Sequence, residues 1–291
     1  MKKRKSISPD DVKRWIAKGD GQGEGREYRP FFHVRDVPSR GRSSMVLGLK
    51  TGRIHHYLSD LEYACHLLAE FEKNVTDIRE RMALLSWKET QTIAEGLGIR
   101  HPIYPCTSTP VLMTSDLVVT LEQDGVKSYE IICVKPSSEL TLLCGTSLSP
   151  SAIKKKNNRI QRSMENLLIE KTYWELRAVP WRLVTEQDIP MIRVRNLDLF
   201  RATMVAEELD RLNPQMESFL TTFDGAWTSN RTLLQIPDQT GNKIGLSRDK
   251  CFTLLGRAVW LRLLPVDLDK KIIHHDKSLP RIKEEQGEDR C

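Results

Sequence analysis

Two rhythms of apolar and polar residues divide the chain. A period near 3.6 places Val12, Trp15 and Ile16 on one side of a short helix over 10–18. Ser59-Asp60-Leu61-Glu62 has the form of a capping box, and Leu61, Ala64, Cys65, Leu68 and Phe71 follow at helical spacing. The stretch from Val75 to Leu85 reads as extended. Residues 111–121 are β-branched and apolar on both faces, as a buried strand requires, and Gln123-Asp124-Gly125 supplies a turn. Tyr129 to Val134 returns as a second strand and stops at Lys135-Pro136, where proline cannot extend the ladder. A basic helix over 153–177 and a strand from Pro180 to Thr185 complete the series. Helix, hairpin, helix and strand in this order predict a mixed α/β core.

The pattern changes near residue 190. Pro190 to Asn196 reads as a linker. Helices are predicted over 198–212, 214–222, 229–236 and 247–258, with Val259 to Leu264 as a wing-like strand. The expected organisation is an α/β domain over 1–190, a mainly helical, winged-helix-like domain over 191–268, and a disordered charged tail over 269–291. Gly19 to Gly25 is too glycine-rich for regular structure, and it reads equally as a flexible loop or as a loop that touches nucleic acid. It lacks the Gly-Lys-Ser/Thr ending of a phosphate-binding P-loop.

Composition narrows the class. With 291 residues, 39% of them hydrophobic and 29% charged, the chain suits two folded domains and not a disordered polymer. No apolar run approaches the roughly 20 residues that span a bilayer, and no apolar stretch follows the basic Met1-Lys2-Lys3-Arg4-Lys5. The expectation is therefore a cytoplasmic protein with no membrane contact. Cysteines 65, 106, 133, 144, 251 and 291 lack zinc-ligand spacing and read as free thiols. A formal net charge of +6 favours encounter with a phosphate backbone.

One residue in the hairpin is out of place. Asp116 interrupts an apolar strand, and an unpaired buried carboxylate costs several kcal/mol, so a partner, a metal or solvent must meet it. Lys135 ends the paired strand at the same end of the hairpin. A carboxylate on one strand and a lysine on its neighbour match a PD-(D/E)xK nuclease core. Phosphodiester hydrolysis calls for a divalent cation to neutralise developing charge and acidify a water, with the lysine assisting. Magnesium takes oxygen ligands. Cys133 stands where that core usually has a second acidic group, and a soft thiolate is a poor magnesium ligand, although its backbone carbonyl can serve. The missing carboxylate is assigned to Glu62, whose other reading is the third position of the capping box. Asp116 has an alternative as a salt-bridged core carboxylate, and Lys135 as a solvated strand end.

Further motifs occur in fixed order: Gly21-Gln22-Gly23, Val37-Pro38-Ser39, Gly41-Arg42-Ser43, Lys50-Thr51-Gly52-Arg53-Ile54-His55-His56 and Leu58-Ser59-Asp60-Leu61-Glu62. Asp77-Ile78-Arg79-Glu80, His101-Pro102, Thr114-Ser115-Asp116, Val134-Lys135-Pro136, Tyr173-Trp174 and Pro180-Trp181 follow. Across residues 12–190 this series resembles the TnsA family, the endonuclease subunits of heteromeric cut-and-paste transposases. The resemblance implies a restriction-endonuclease-like catalytic domain followed by a winged-helix-like one. It implies cutting at the 5′ ends of a transposon, with Mg2+ (or Mn2+) as cofactor. Its partners would be double-stranded DNA at the transposon ends, a DDE transposase of the TnsB kind and an AAA+ regulator of the TnsC kind, in the bacterial cytosol or nucleoid.

By motif, the catalytic residues fall on Glu62, Asp116 and Lys135, and the metal ligands on Glu62, Asp116 and Cys133. The family often has Gln where this chain has Cys133. Glu170 on the later helix and His55-His56 are secondary candidates, and Arg248, Lys250 and Arg257 are candidates for DNA contact. Two other functions compete: a nuclease-fold assembly factor without activity, against which the retention of Glu62, Asp116 and Lys135 argues, and a stand-alone restriction or repair endonuclease, against which the ordered motifs argue.

Overall fold

The computed structural model describes residues 7–36, 41–142, 149–206, 209–272 and 278–282. The motif Val37-Pro38-Ser39, the basic stretch at residues 1–5, and cysteines 144 and 291 lie outside them. The chain divides into two units, Met1–Ile189 and Pro190–Cys291.

In the first unit, Ser8 closes a capping box with Asp11 and starts α1 (Pro9–Ala17), which buries Val12. Strands β1 (Ser44–Leu47) and β2 (Ile54–Tyr57) pair antiparallel as a separate hairpin. Ser59 accepts from the Glu62 amide at the head of α2 (Asp60–Phe71). The main sheet has the order β3 (Val75–Ala83), β4 (Thr114–Gln123), β5 (Val126–Val134), β6 (Trp181–Val184). β3, β4 and β5 run antiparallel, and β6 adds parallel to β5 through the crossover helix α4 (Pro150–Glu175), which makes the sheet mixed. A further helix, α3 (Trp87–Gly96), has no signature in the apolar pattern, because Lys88-Glu89-Thr90-Gln91-Thr92 breaks any period.

Adjacent β4 residues point to opposite faces of the sheet and meet different layers. Val118 packs in a cluster with Ile131, Ala94 of α3, and Ile169, Tyr173 and Trp174 of α4. Val119 lines a cavity with Cys65 and Leu68 of α2. The buried-strand reading of this segment therefore holds, with the ladder beginning at Thr114 instead of 111. The glycine-rich stretch is tied down at Gly21, while Gly23 and Glu24 are exposed. Gly21 exchanges backbone hydrogen bonds with Arg29 and Ala83, and a Cβ there would lie 2.6 Å from Ala83 Cβ.

The second unit comprises α5 (Met191–Met204), α6 (Leu209–Leu212), α7 (Met216–Ala226), α8 (Gln235–Ile244) and α9 (Arg248–Trp260). The expected linker is helical from Met191, since Val194, Leu197 and Phe200 form a buried stripe. The helix expected over 229–236 is displaced: Pro237 has no N–H and fits the first turn of α8 but not a helix end. Gly256 lets α9 approach α5 closely, as a Cβ there would sit 2.1 Å from Thr203 Oγ1. The wing-like strand is overturned, because Val259 and Trp260 finish α9 and the unit has no strand among the described residues, only an isolated bridge between Val266 and Arg281. Part of the segment expected as a disordered tail is packed: Ile272 and Leu279 are buried, and Trp227 Nε1 donates to the Leu279 carbonyl at 2.8 Å. Polar contacts hold the described part as well: Asn196 donates to the Lys270 carbonyl at 2.8 Å, and Arg281 lies over the Trp227 ring.

The β1–β2 hairpin is held to β3 by a buried charge network. Arg53 forks onto Glu80 at 2.9 and 2.7 Å, and His55 Nδ1 lies 2.9 Å from the same carboxylate. Burial alone would raise the Glu80 pKa, but His55 and Arg53 reverse it and bring it to about 2. Its stabilising effect is thus complete above about pH 4.5, the ordinary value, and is lost as pH falls toward 2. Glu80→Gln should cost about 3 kcal/mol or more at neutral pH, by leaving Arg53 buried without its counter-charge. In urea titrations the gap from wild type should stay constant above about pH 4.5 and narrow below it.

Candidate active site

The site forms where the β3–β4–β5 ladder stops being regular. β3 and β4 pair Glu80 with Leu117 and Met82 with Ser115, so the ladder passes over Arg81 and Asp116. The last β4–β5 pair on this side is Leu117 with Ile132, leaving Asp116 free to turn its side chain toward the end of β5. Arg81 has φ +55, a left-handed conformation that few non-glycine residues adopt.

Asp116 is 5% exposed and fully engaged. Its Oδ2 accepts from the Val134 amide at 2.9 Å, from Lys135 Nζ at 3.1 Å and from Cys133 Sγ at 3.4 Å, and its Oδ1 accepts from Arg81. Burial pushes the Asp116 carboxyl up, but Lys135, Arg81 and the Val134 amide more than reverse this and hold it well below the usual carboxylate range. The same partnership, led by the Asp116 charge, raises Lys135 and keeps it a cation.

Glu62 does not complete the capping box. Its amide donates to Ser59 Oγ at 3.2 Å, but its carboxylate turns away: Oε2 accepts from the Leu58 amide at 3.0 Å, and Oε1 lies 2.5 Å from Arg81 Nη2. Glu62, Asp116 and Lys135, far apart in sequence, are thereby brought into one cluster, linked through Arg81. Cys133 joins it by its thiol. Burial raises the thiol pKa strongly, with the Asp116 charge adding to it, so the side chain is a neutral donor and not a thiolate. Among the described residues no three His, Cys, Asp or Glu side chains converge as a metal site.

Glu170 of α4 lines a cleft of about 340 Å³ with Asp116, Lys135, Asn166 and Met113. Its Oε1 is buried without a partner. Burial, then the charge of Asp116, push its carboxyl up to about 7. Alongside, Trp174 Nε1 donates to Ser115 Oγ at 2.8 Å and ties α4 to β4 next to Asp116. His55 is wholly buried in the Glu80 network, and His56 is partly exposed, as their alternation on β2 requires. Arg248 is held by Asp238 at 2.5 and 2.6 Å in the second unit. Sequence reasoning misses Arg81. Its one signal is the run of charged residues Asp77, Arg79, Glu80 and Arg81 within a segment that is buried along most of its length.

This mixed sheet, with α2 on one face and α3 and α4 on the other, is a restriction-endonuclease-like nuclease core. Residues 72–186 match a family described as TnsA-like endonuclease N terminal, a span that includes Asp116 and Lys135. Transposon Tn7 transposition protein TnsA of Escherichia coli is 34% identical over 217 residues, covering 73% of this chain and 71% of that protein. The chain belongs to the TnsA family of endonucleases.

Burial also predicts how the thiols react. Cys106 is exposed, whereas Cys65, Cys133 and Cys251 are buried, and burial pushes Cys65 up to about 12. Treatment of the native protein with iodoacetamide at about pH 8 should therefore alkylate Cys106 and spare Cys133. Peptide mass spectrometry checks this. Equal labelling of the two would mean that the site is open around a reactive thiolate.

Proposed function

We propose that this protein is the metal-dependent, strand-cutting subunit of a cut-and-paste transposase, hydrolysing one phosphodiester at each 5′ end of the transposon. The observation that carries the reading is the meeting of Glu62, Asp116 and Lys135 at one break in the ladder. The residues fit a divalent cation. Two carboxylates already enclose a cationic group, the Arg81 guanidinium, and Glu170 brings a further buried oxygen without a partner to the adjoining cleft. Glu62 and Asp116 would hold Mg2+, or Mn2+ in its place, and the Cys133 side chain would not. When bound, the ion supplies charge neutralisation and an acidified water.

The protein's own groups do the rest. Lys135, kept protonated by Asp116, places a positive charge where the phosphate gains negative charge. Glu170, with a carboxyl poised near neutrality, can take up a proton at Oε1. DNA approaches along α4, whose early turns expose Lys154, Lys155, Lys156 and Arg159. Lys156 and Arg159 line a second cleft with Ser163, and Ser163 also lines the cleft of Asp116.

In this reading the DNA ends are delivered by a DDE transposase of the TnsB kind, under an AAA+ regulator of the TnsC kind, with the second unit as the docking module in the bacterial cytosol. No helix among the described residues is long and apolar enough to cross a membrane.

A plasmid bearing transposon ends, incubated with MgCl2 and the transposase, should be cut at the 5′ ends, and EDTA should stop it. Cutting that persists in EDTA sinks the proposal. Asp116→Ala should lower the cutting rate at least a hundredfold, roughly the loss seen when one transition-state-stabilising group is removed, while far-ultraviolet circular dichroism stays unchanged. Replacing Lys154, Lys155, Lys156 and Arg159 by glutamine should weaken DNA binding evenly across sequences. The slope of log affinity against log salt should flatten by about 0.9 for each phosphate that is no longer neutralised.

A further inference from the structure

The four carboxylate oxygens of Glu62 and Asp116 are divided in a regular way. One oxygen of each is fixed by a backbone amide, Glu62 Oε2 by Leu58 and Asp116 Oδ2 by Val134. The other of each, Glu62 Oε1 and Asp116 Oδ1, is given to Arg81. One oxygen of each carboxylate is thus taken by the same guanidinium. Arg81 reaches them because its backbone adopts the left-handed conformation at the break in the ladder, where its carbonyl is pinned by the Phe31 amide at 3.2 Å. The side chain is 9% exposed, lies over the Phe32 ring, and leaves its Nε buried without a partner. A non-glycine residue is held in this conformation only when its surroundings over-determine it. Here they do, through two ion pairs.

We propose that Arg81 is a built-in cation that closes the metal seat of this enzyme, so that a divalent ion binds only by displacing the guanidinium from Glu62 and Asp116. The inference rests on the reading of those two carboxylates as metal ligands. Its physical basis is exclusion. A guanidinium seated on Glu62 Oε1 and Asp116 Oδ1 opposes a dication there by like charge and by occupying the space between them, and the other oxygen of each carboxylate already accepts from a backbone amide, with Lys135 and Cys133 also on Asp116 Oδ2. Loading the ion therefore costs the release of Arg81 from a buried, doubly paired position.

The test is calorimetric titration of the full chain with MnCl2, without DNA, for wild type, Arg81→Gln and Arg81→Lys. Arg81→Gln should bind Mn2+ at least tenfold more tightly than wild type, about 1.4 kcal/mol. Arg81→Lys, which keeps the charge but not the fork, should fall between them. Equal or weaker binding by Arg81→Gln overturns the proposal and makes Arg81 a support of the site. If that variant does not fold, wild type with 15N-labelled arginine decides. The Nε–H resonance of Arg81 must move when Mg2+ saturates the site, and an unmoved resonance overturns the gate. Asp116→Asn separates the two readings. Mn2+ binding that this change abolishes, with Arg81→Gln no tighter than wild type, removes only the gate. Mn2+ binding by none of the proteins removes the metal site and the gate together.

Discussion

A carboxylate buried near the start of β4, where the ladder stops being regular, is the constraint around which the first unit is arranged. Asp116 cannot remain charged there without compensation, and burial strengthens whatever compensates it. The compensation comes from three directions: the Val134 amide and Lys135 at the end of β5, and Arg81 from β3. Each fixes a relation between strands. A slip of one residue between β4 and β5 would carry Asp116 away from Lys135 and turn Val118 out of its cluster with Trp174. The polar contacts of the site and the apolar packing of the core thus select the same register.

β3 carries a second charged centre one residue from the first. Glu80 and Arg81 are neighbours, and their side chains serve different partners: Glu80 gathers Arg53, His55 and the His56 amide, while Arg81 reaches Glu62 and Asp116. The strand is therefore a seam between the β1–β2 hairpin and the candidate site. This explains why a segment with Asp77, Arg79, Glu80 and Arg81 in close succession is nonetheless mostly buried. Charges placed this way favour one arrangement over its competitors, since a misplaced hairpin would leave Glu80 or Arg53 without a partner.

The sheet was legible wherever apolar periodicity and turn chemistry agreed. β4 and β5 stood out from the apolar character of both faces of residues 111–121, with Leu117, Val118 and Val119 in succession, and from the Asp124-Gly125 turn. α4 was read as a basic helix over 153–177, and β6 as a strand from Pro180 to Thr185. Asp116 was legible as a violation of that pattern, and Lys135 by its place at the end of the partner strand. Glu62 was ambiguous because a capping box explains it equally well, and only the direction of its carboxylate separates the two readings. Arg81 could be read only as part of a charged run, without its role. Its role depends on a positive φ and a skipped ladder position, and neither leaves a trace in hydrophobic spacing. In the second unit helices were visible but their bounds were not, as with the first turn of α8 at Pro237, and the packed Ile272 and Leu279 beyond the last helix depend on tertiary contacts that the sequence pattern does not show.

The crossover helix has a consequence of its own. α4 carries exposed Lys154, Lys155, Lys156 and Arg159 near its start and Glu170 and Trp174 near its end, on one unbroken helix of 26 residues. At about 1.5 Å of rise per residue, Lys154 and Glu170 stand roughly 24 Å apart along the axis. Base pairs in duplex DNA are spaced by about 3.4 Å, so that interval corresponds to roughly seven of them. A rigid rod of this kind acts as a caliper. If DNA lies along α4 as proposed, the helix sets the distance between the basic residues of its early turns and Glu170, and inserting or deleting residues within it would move the cut relative to those contacts.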